Sequence, residues 1–302
     1  MRRLAGRVAV VTGAASGIGR ALVGRFAAEG MRCVLADIEE TALSDAVDEL
    51  RSAGVSAIGV RTDVSRAADV QALADAAIAE FGAVHVLCNN AGVGGGTDFA
   101  KTPLDVWEWV LGVNLWGVIH GCRIFLPLLL SQEEGHIVNT SSMAALNGHP
   151  LGLAPYTVSK FGVLGLSQNL FFELAATAGG RVGVSVLIPG LTRTRIFESI
   201  RNGPKDLTTP PPSSFRRTSM TAIAGAWDGA MDPDEVASVV AEAIRAQRFY
   251  ILPCPDEALD MAEQQLRWMR TNEPLVPGRG VARTADDPPE APAGSPGFGG
   301  LP

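Results

Sequence analysis

The sequence predicts an α/β protein built on a doubly wound, seven-stranded parallel sheet with helices on both faces. Three observations carry that expectation. Short, nearly continuous apolar runs alternate with helix-length amphipathic stretches from Val8 to Leu252, the pattern of strands buried on both sides. The first run passes at once into a glycine cluster that opens a helix. Successive runs end on Gly13, Asp37, Asp63 and Asn89, at the carboxyl ends of strands, where ligands of such sheets bind.

The elements follow in order. Val8–Val11 is a β-branched strand, and Thr12 to Gly19 forms a turn that leads into a helix through Leu22, Phe26 and Ala27. Glycines there allow a tight turn and bring bare N–H groups and a helix N-terminus against a pyrophosphate. Strand two, Cys33–Ala36, ends on Asp37, 18 residues beyond Gly19. A carboxylate so placed can take the ribose hydroxyls of an adenosine, or it can cap the helix that starts at Glu39. That helix carries Leu43, Val47 and Leu50; strand three is Val55–Val60, and a helix spans Ala68–Phe81. Strand four, Val84–Cys88, is closed by Asn89, Asn90, Ala91 and Gly92. A long apolar helix over about Pro103–Leu130 carries Asn114, a polar amide that is either a satisfied core group or a functional one. Strand five, His136–Asn139, ends in Thr140, Ser141 and Ser142. A helix from Tyr156 to about Ala178 leads to strand six, Val182–Ile188, which ends at Pro189 and Gly190.

From Arg195 to about Ala230 the chain mixes prolines with scattered apolar side chains such as Phe197, Phe215 and Trp227. It is too apolar for a plain linker and suits a lid over an apolar ligand, the most mobile part of the core. A helix through Val236 and Ile244, a short strand at Phe249–Leu252 and an amphipathic helix over about 256–270 follow. Residues 274–302 are rich in proline and glycine and read as a disordered tail. Residues 1–255 thus form one domain, with the lid at 195–230.

Composition excludes several functions. The chain has 302 residues, a formal net charge of −7 and no basic run, so nucleic acid and anionic membranes lack an electrostatic footprint. Met1–Gly6 leads straight into a strand with no signal-peptide core, and no apolar run reaches the ~18 residues of a membrane span. The expectation is a cytoplasmic protein acting on a small molecule. Cys33, Cys88, Cys122 and Cys254 are widely spaced, three of them in apolar runs, and the four histidines show no ligand spacing, so no metal site is expected. His149, just before the Tyr156 helix, is a candidate pocket residue.

Tyr156 and Lys160 carry the chemistry. Four residues apart, they share one helix face. A free phenol titrates at ~10, so proton transfer near neutrality calls for a fixed positive charge beside it. With only two tyrosines and three lysines in the chain, coincidence explains the pairing poorly. Basic residues here are otherwise nearly all arginine, so Lys160 points to a need for a compact ammonium.

These motifs, in this order, resemble the short-chain dehydrogenases and reductases over roughly Gly6–Leu252, which implies a Rossmann-like fold. By that resemblance Thr12 to Gly19 is the family's TGxxxGxG turn, with Gly13, Ser16, Gly17, Ile18 and Gly19 at the cofactor. Asp63, with Val64 beside it, is the adenine contact, and Asn89 to Gly92 is the NNAG segment, placing Asn90, Ala91 and Gly92 in the site. Asn114, Ser142, Tyr156 and Lys160 match the catalytic tetrad, with Ser142 favoured over the adjacent Ser141. Pro189, Gly190, Thr192 and Thr194 match the segment that receives the nicotinamide carboxamide, although Thr192 stands where the family often has an aliphatic residue.

The resemblance implies oxidation of a secondary alcohol, or reduction of a ketone, with Tyr156 as acid and base. Ser142 would bond the substrate oxygen. Lys160 would lower the phenol's pKa and hold the ribose, and Asn114 would anchor a water. Asp37 favours NAD over NADP, because it would face the 2′-phosphate of NADP with a like charge. The alternatives are an acyl-thioester ketoreductase using NADPH and a catalytically silent dinucleotide sensor. Apolar helices at Leu115–Leu130 and Phe161–Leu174 carry more hydrophobic positions than one sheet face needs, so a homotetramer is expected.

Overall fold

Seven parallel strands form a single sheet in the order β3-β2-β1-β4-β5-β6-β7 in the computed structural model, which describes residues 3–147, 153–208, 221, 225 and 227–272. The strands are β1 (Val8–Thr12), β2 (Arg32–Asp37), β3 (Ala57–Arg61), β4 (Val86–Asn89), β5 (Gly135–Thr140), β6 (Val182–Leu187) and β7 (Tyr250–Ile251). The helices are α1 (Gly17–Ala28), α2 (Glu40–Ser52), α3 (Ala67–Phe81), α4 (Leu104–Leu111), α5 (Gly117–Leu130), α6 (Ala154–Thr177), α7 (Pro233–Ala246) and α8 (Pro255–Thr271). His149 and the tail at 274–302 lie outside the described residues.

Side chains alternate across the sheet because successive Cβ atoms of a strand point to opposite faces. Ala9, Val11, Cys33 and Leu35 pack under α1, α2 and α7, while Val8, Val10, Val34 and Ala36 pack under α3, α5 and α6. Two hydrophobic layers therefore sandwich the sheet, and strand order reverses between β1 and β4. That switch point opens a crevice at the carboxyl ends of the strands.

One stretch departs from expectation. The helix predicted over about 103–130 is interrupted by a π-helical turn, Gly112–Trp116, with Asn114 in its middle. In addition, Leu104–Leu130 is long and apolar enough to cross a membrane by length and composition alone, contrary to the expectation from apolar run length. Here α5 packs on α3, β4 and β5, and α4 packs on α6.

Part of the span read as a lid is described. Ile196–Asn202 forms a short 3-10 helix, and Trp227–Gly229 a second one; residues 209–220, 222–224 and 226 lie outside the described residues.

Candidate active site

The turn between β1 and α1 is shaped by glycines that admit no side chain. Gly13 (φ +65°) runs so close to the β4 loop that an added Cβ would sit 2.8 Å from Ala91 Cα. Gly17 (φ +53°) faces Thr194, whose Cγ2 would lie 3.0 Å from such a Cβ. Thr12 Oγ1 ties the neighbouring loops together, accepting from the amides of Asn90 at 3.0 Å and Ala91 at 3.1 Å. The Asn90 side-chain amide donates to the Thr12 carbonyl. Ser16 is the N-cap of α1 but makes no side-chain cap bond, so the first-turn amides stay open to an anion. This matters because the turn borders a cavity of about 1290 Å³ that also reaches Asp37, Asp63, Val64, Tyr156 and Lys160. Ser16, Ile18, Asn90, Ala91, Gly92, Ser142, Pro189, Gly190, Thr192 and Thr194 line it too.

Two predicted site residues stand behind the wall. Gly19 serves packing: a Cβ there would fall 2.0 Å from the Gly13 carbonyl oxygen and 2.6 Å from Asn90 Nδ2. Asn114 is fully buried, with Oδ1 accepting from Val93 N–H at 2.8 Å and Nδ2 donating to Val93 O at 2.9 Å and Ser159 Oγ at 3.1 Å. Asn89 likewise turns away from the crevice. Its amide donates to Asn139 Oδ1 at 2.8 Å, and Asn139 donates on to Ser167 Oγ at 3.1 Å, a buried polar chain beneath the floor.

Asp37 is fixed by two main-chain bonds on the cavity wall. Its Oδ2 accepts from the Ala15 amide at 2.9 Å, bracing the glycine turn, and its Oδ1 accepts from the Glu39 amide at 3.0 Å, at the entry to α2. Asp63 closes a similar local loop through Ser65 N–H at 3.0 Å and Ser65 Oγ at 2.6 Å.

The α6 residues lie as their spacing requires. Lys160 Nζ is 5.4 Å from the centroid of the Tyr156 ring and donates to the Thr140 carbonyl at 2.9 Å. Burial pulls its ammonium down to about 8. The two serines after β5 differ in what they do. Ser141 Oγ donates to the Lys160 carbonyl at 2.8 Å and is used structurally. Ser142 Oγ accepts from the Ala144 amide at 3.2 Å, which leaves its O–H for the Tyr156 oxygen.

Burial raises the Tyr156 pKa above its ordinary value, and a hydrogen bond with Ser142 opposes it. The Lys160 ammonium, 5.4 Å from the ring centroid, places a positive charge beside the phenol.

Sequence reasoning missed several cavity residues. Glu257 and Met261 reach the cavity from α8; Ile196 and Phe197, which belong to the span expected to cover an apolar ligand, line it too, as does Leu207. Nothing in an amphipathic C-terminal helix signals which neighbour it will meet. Trp109, Met143 and Leu153 complete an apolar wall beside Tyr156.

A family model described as short chain dehydrogenase matches residues 7–205. The chain is 37% identical over 259 residues to the 1-deoxy-11-beta-hydroxypentalenate dehydrogenase of Streptomyces avermitilis, spanning 85% of this chain and 87% of that one. It is 35% identical over 240 residues to 3beta-hydroxysteroid dehydrogenase 2 of Eggerthella lenta, spanning 79% and 87%. Among solved structures, a short chain dehydrogenase/reductase from Burkholderia phymatum in complex with NAD superposes with a TM-score of 0.86 at 42% identity, covering 91% of this chain and 98% of its own.

Proposed function

The chain belongs to the short chain dehydrogenase family of oxidoreductases acting on hydroxyl or keto groups, and from that premise we propose that it is an NAD(H)-dependent dehydrogenase of an apolar, fairly bulky secondary alcohol. The observation that carries the reading is the gathering of Ser142, Tyr156 and Lys160 on the wall of a cavity that also holds open α1 amides and Asp37. The residues fit a dinucleotide: uncapped N–H groups suit a pyrophosphate, and a carboxylate suits ribose hydroxyls.

A dinucleotide held by the α1 turn and Asp37 would supply the hydride acceptor for oxidation of the carbinol carbon and, in its reduced form, the hydride donor for the ketone. The protein's part is proton handling and position. Tyr156 removes the hydroxyl proton during oxidation and gives it back during reduction. Ser142, held by the Ala144 amide, stabilises the charge that grows on the reacting oxygen. Lys160 supplies a buried positive charge near the phenol and donors for a ribose, in addition to Thr140. Asn114 braces the Val93 backbone, and its Oδ1 and Lys160 Nζ face the same space beside Gly92, 3.5 Å from where a Cβ would stand, a place for a relay water.

Trp109, Met143, Leu153 and Phe197 give the substrate an apolar surround, consistent with relatives named for hydroxylated substrates. Asp37 selects NAD, since a 2′-phosphate against it adds a like charge and forfeits a hydrogen bond, together ~2 to 4 kcal/mol. We place the enzyme in the cytoplasm as a homotetramer. The test is a screen of purified protein with NAD and with NADP against a panel of secondary alcohols from small to polycyclic, following absorbance of the reduced cofactor. Turnover confined to NADPH with acyl-thioester ketones would replace this reading with the ketoreductase one.

A further inference from the structure

Two residues beyond Asp37, a second carboxylate stands at the same part of the cavity and holds cations of the segment that follows β6. Glu39 Oε1 accepts from Arg201 Nε at 3.0 Å, Arg201 Nη2 at 2.6 Å and Asn202 Nδ2 at 2.9 Å. Glu39 Oε2 lies 3.9 Å from Arg195 Nη1, and Arg195 Nε donates to Glu198 Oε2 at 2.9 Å. Glu39, Arg195, Arg201 and Asn202 all line the cavity with Asp37 and Ile38. Burial works to raise the Glu39 carboxyl, but the bonds from Asn202 and Arg201 outweigh it and hold it below its ordinary range. Glu39 is therefore anionic at neutral pH.

We infer that Glu39 is a second determinant of NAD over NADP, a positioning residue that acts by keeping Arg195 and Arg201 occupied. This rests on the reading that the adenosine ribose lies against Asp37. Arginine is the natural ligand of a phosphate, planar and able to donate two parallel bonds. Two arginines do stand at this part of the cavity, yet Glu39 and Glu198 pair with their guanidinium groups and Asp37 adds a third carboxylate to the same cavity wall. A phosphate carrying up to about two negative charges would meet two guanidinium groups that are already paired with carboxylates. Glu39→Gln removes the excess negative charge and loosens its hold on both arginines. The amide oxygen can still accept from Arg201 and Asn202, so the segment keeps its anchor.

The experiment is titration calorimetry of NAD and NADP, without substrate, on the wild type, on Glu39→Gln, on Glu39→Asp and on Glu39→Gln combined with Arg201→Gln. Glu39→Gln is expected to tighten NADP about tenfold while NAD changes less than about twofold. Adding Arg201→Gln is expected to abolish the gain, and Glu39→Asp, which keeps the charge, to leave the ratio of the two affinities near the wild-type value. An unchanged ratio in Glu39→Gln, equal tightening of both cofactors, or the same gain in Glu39→Asp would overturn the inference. A wild type that binds NADP as tightly as NAD overturns the Asp37 reading beneath it, and that result is seen before any substitution is made.

Discussion

The ammonium of Lys160 donates to the main-chain oxygen of Thr140 at 2.9 Å, which fastens the first turns of α6 to the carboxyl end of β5. In return the Ser141 hydroxyl donates to the Lys160 carbonyl at 2.8 Å. The two bonds run in opposite senses between the same pair of elements. They fix where the Tyr156 hydroxyl stands relative to Ser142.

Tyr156→Phe removes one oxygen and leaves this bracing intact. Loss of at least about 10³ in kcat/KM is expected, the size of general acid and base catalysis, with NAD affinity within about threefold of wild type. Steady-state kinetics and fluorescence titration check it. Activity within tenfold of wild type would remove Tyr156 from the chemistry.

Lys160 makes stability depend on pH in a defined direction. Burial lowers its folded-state pKa from 10.5 to about 8. Between those values the unfolded chain holds more protons than the folded one, so this contribution to stability is complete above 10.5 and is lost as pH falls through about 8. Tyr156, raised by burial, opposes it only above the ordinary phenol value of about 10. Urea denaturation without cofactor should show wild type gaining about 1 to 2 kcal/mol relative to Lys160→Met between pH 8 and pH 10. Parallel pH curves for the two proteins would contradict a buried, titrating Lys160.

Two glycines of α1 should respond oppositely to alanine. At Gly19 the new methyl meets the Gly13 carbonyl at 2.0 Å, so a loss of about 3 kcal/mol and of NAD binding is expected. At Gly24 nothing lies within 4 Å, and alanine should add about 0.5 to 1 kcal/mol by restricting the unfolded chain. Thermal melts of the pair settle the matter. A neutral Gly19→Ala would mean that the turn can move away from α1.

Trp116, Phe161 and Phe172, on the turn before α5 and on α6, are 54%, 42% and 70% exposed, large apolar side chains left in water by the single chain. A second copy is expected to cover it. Light scattering at micromolar concentration should give about four times the 31.6 kDa of the chain, and Phe161→Glu with Phe172→Glu should lower that mass. A mass near that of one chain, at any accessible concentration, would refute assembly.

The strands and their ligand-facing ends were legible because each is a continuous apolar run closed by a polar or glycine residue, and the spacing of Tyr156 and Lys160 was legible because a helix has a fixed period. What stayed hidden depends on pairings made in space. Glu39 and Arg201 are 162 positions apart, and no local rule joins them. Asn89 sits at a strand end as a ligand-facing residue would, but Asn139 on the adjacent strand claims its amide. The burial that raises the Tyr156 phenol could not be read either, since it depends on what surrounds the hydroxyl in space.

The π-helical turn at Gly112–Trp116 sets a phase. Each residue of an α-helix turns the next side chain by about 100°, and this wider turn holds back α5 relative to α4. Deleting a single residue there would scarcely alter length, charge or hydropathy. It would bring the two helices into step, swing the Asn114 amide off the Val93 backbone and misalign one helix's apolar stripe with the sheet. The site is thus sensitive to the count of residues across these five positions more than to most of their identities, and a one-residue deletion should harm it more than a conservative substitution at any of the four positions other than Asn114.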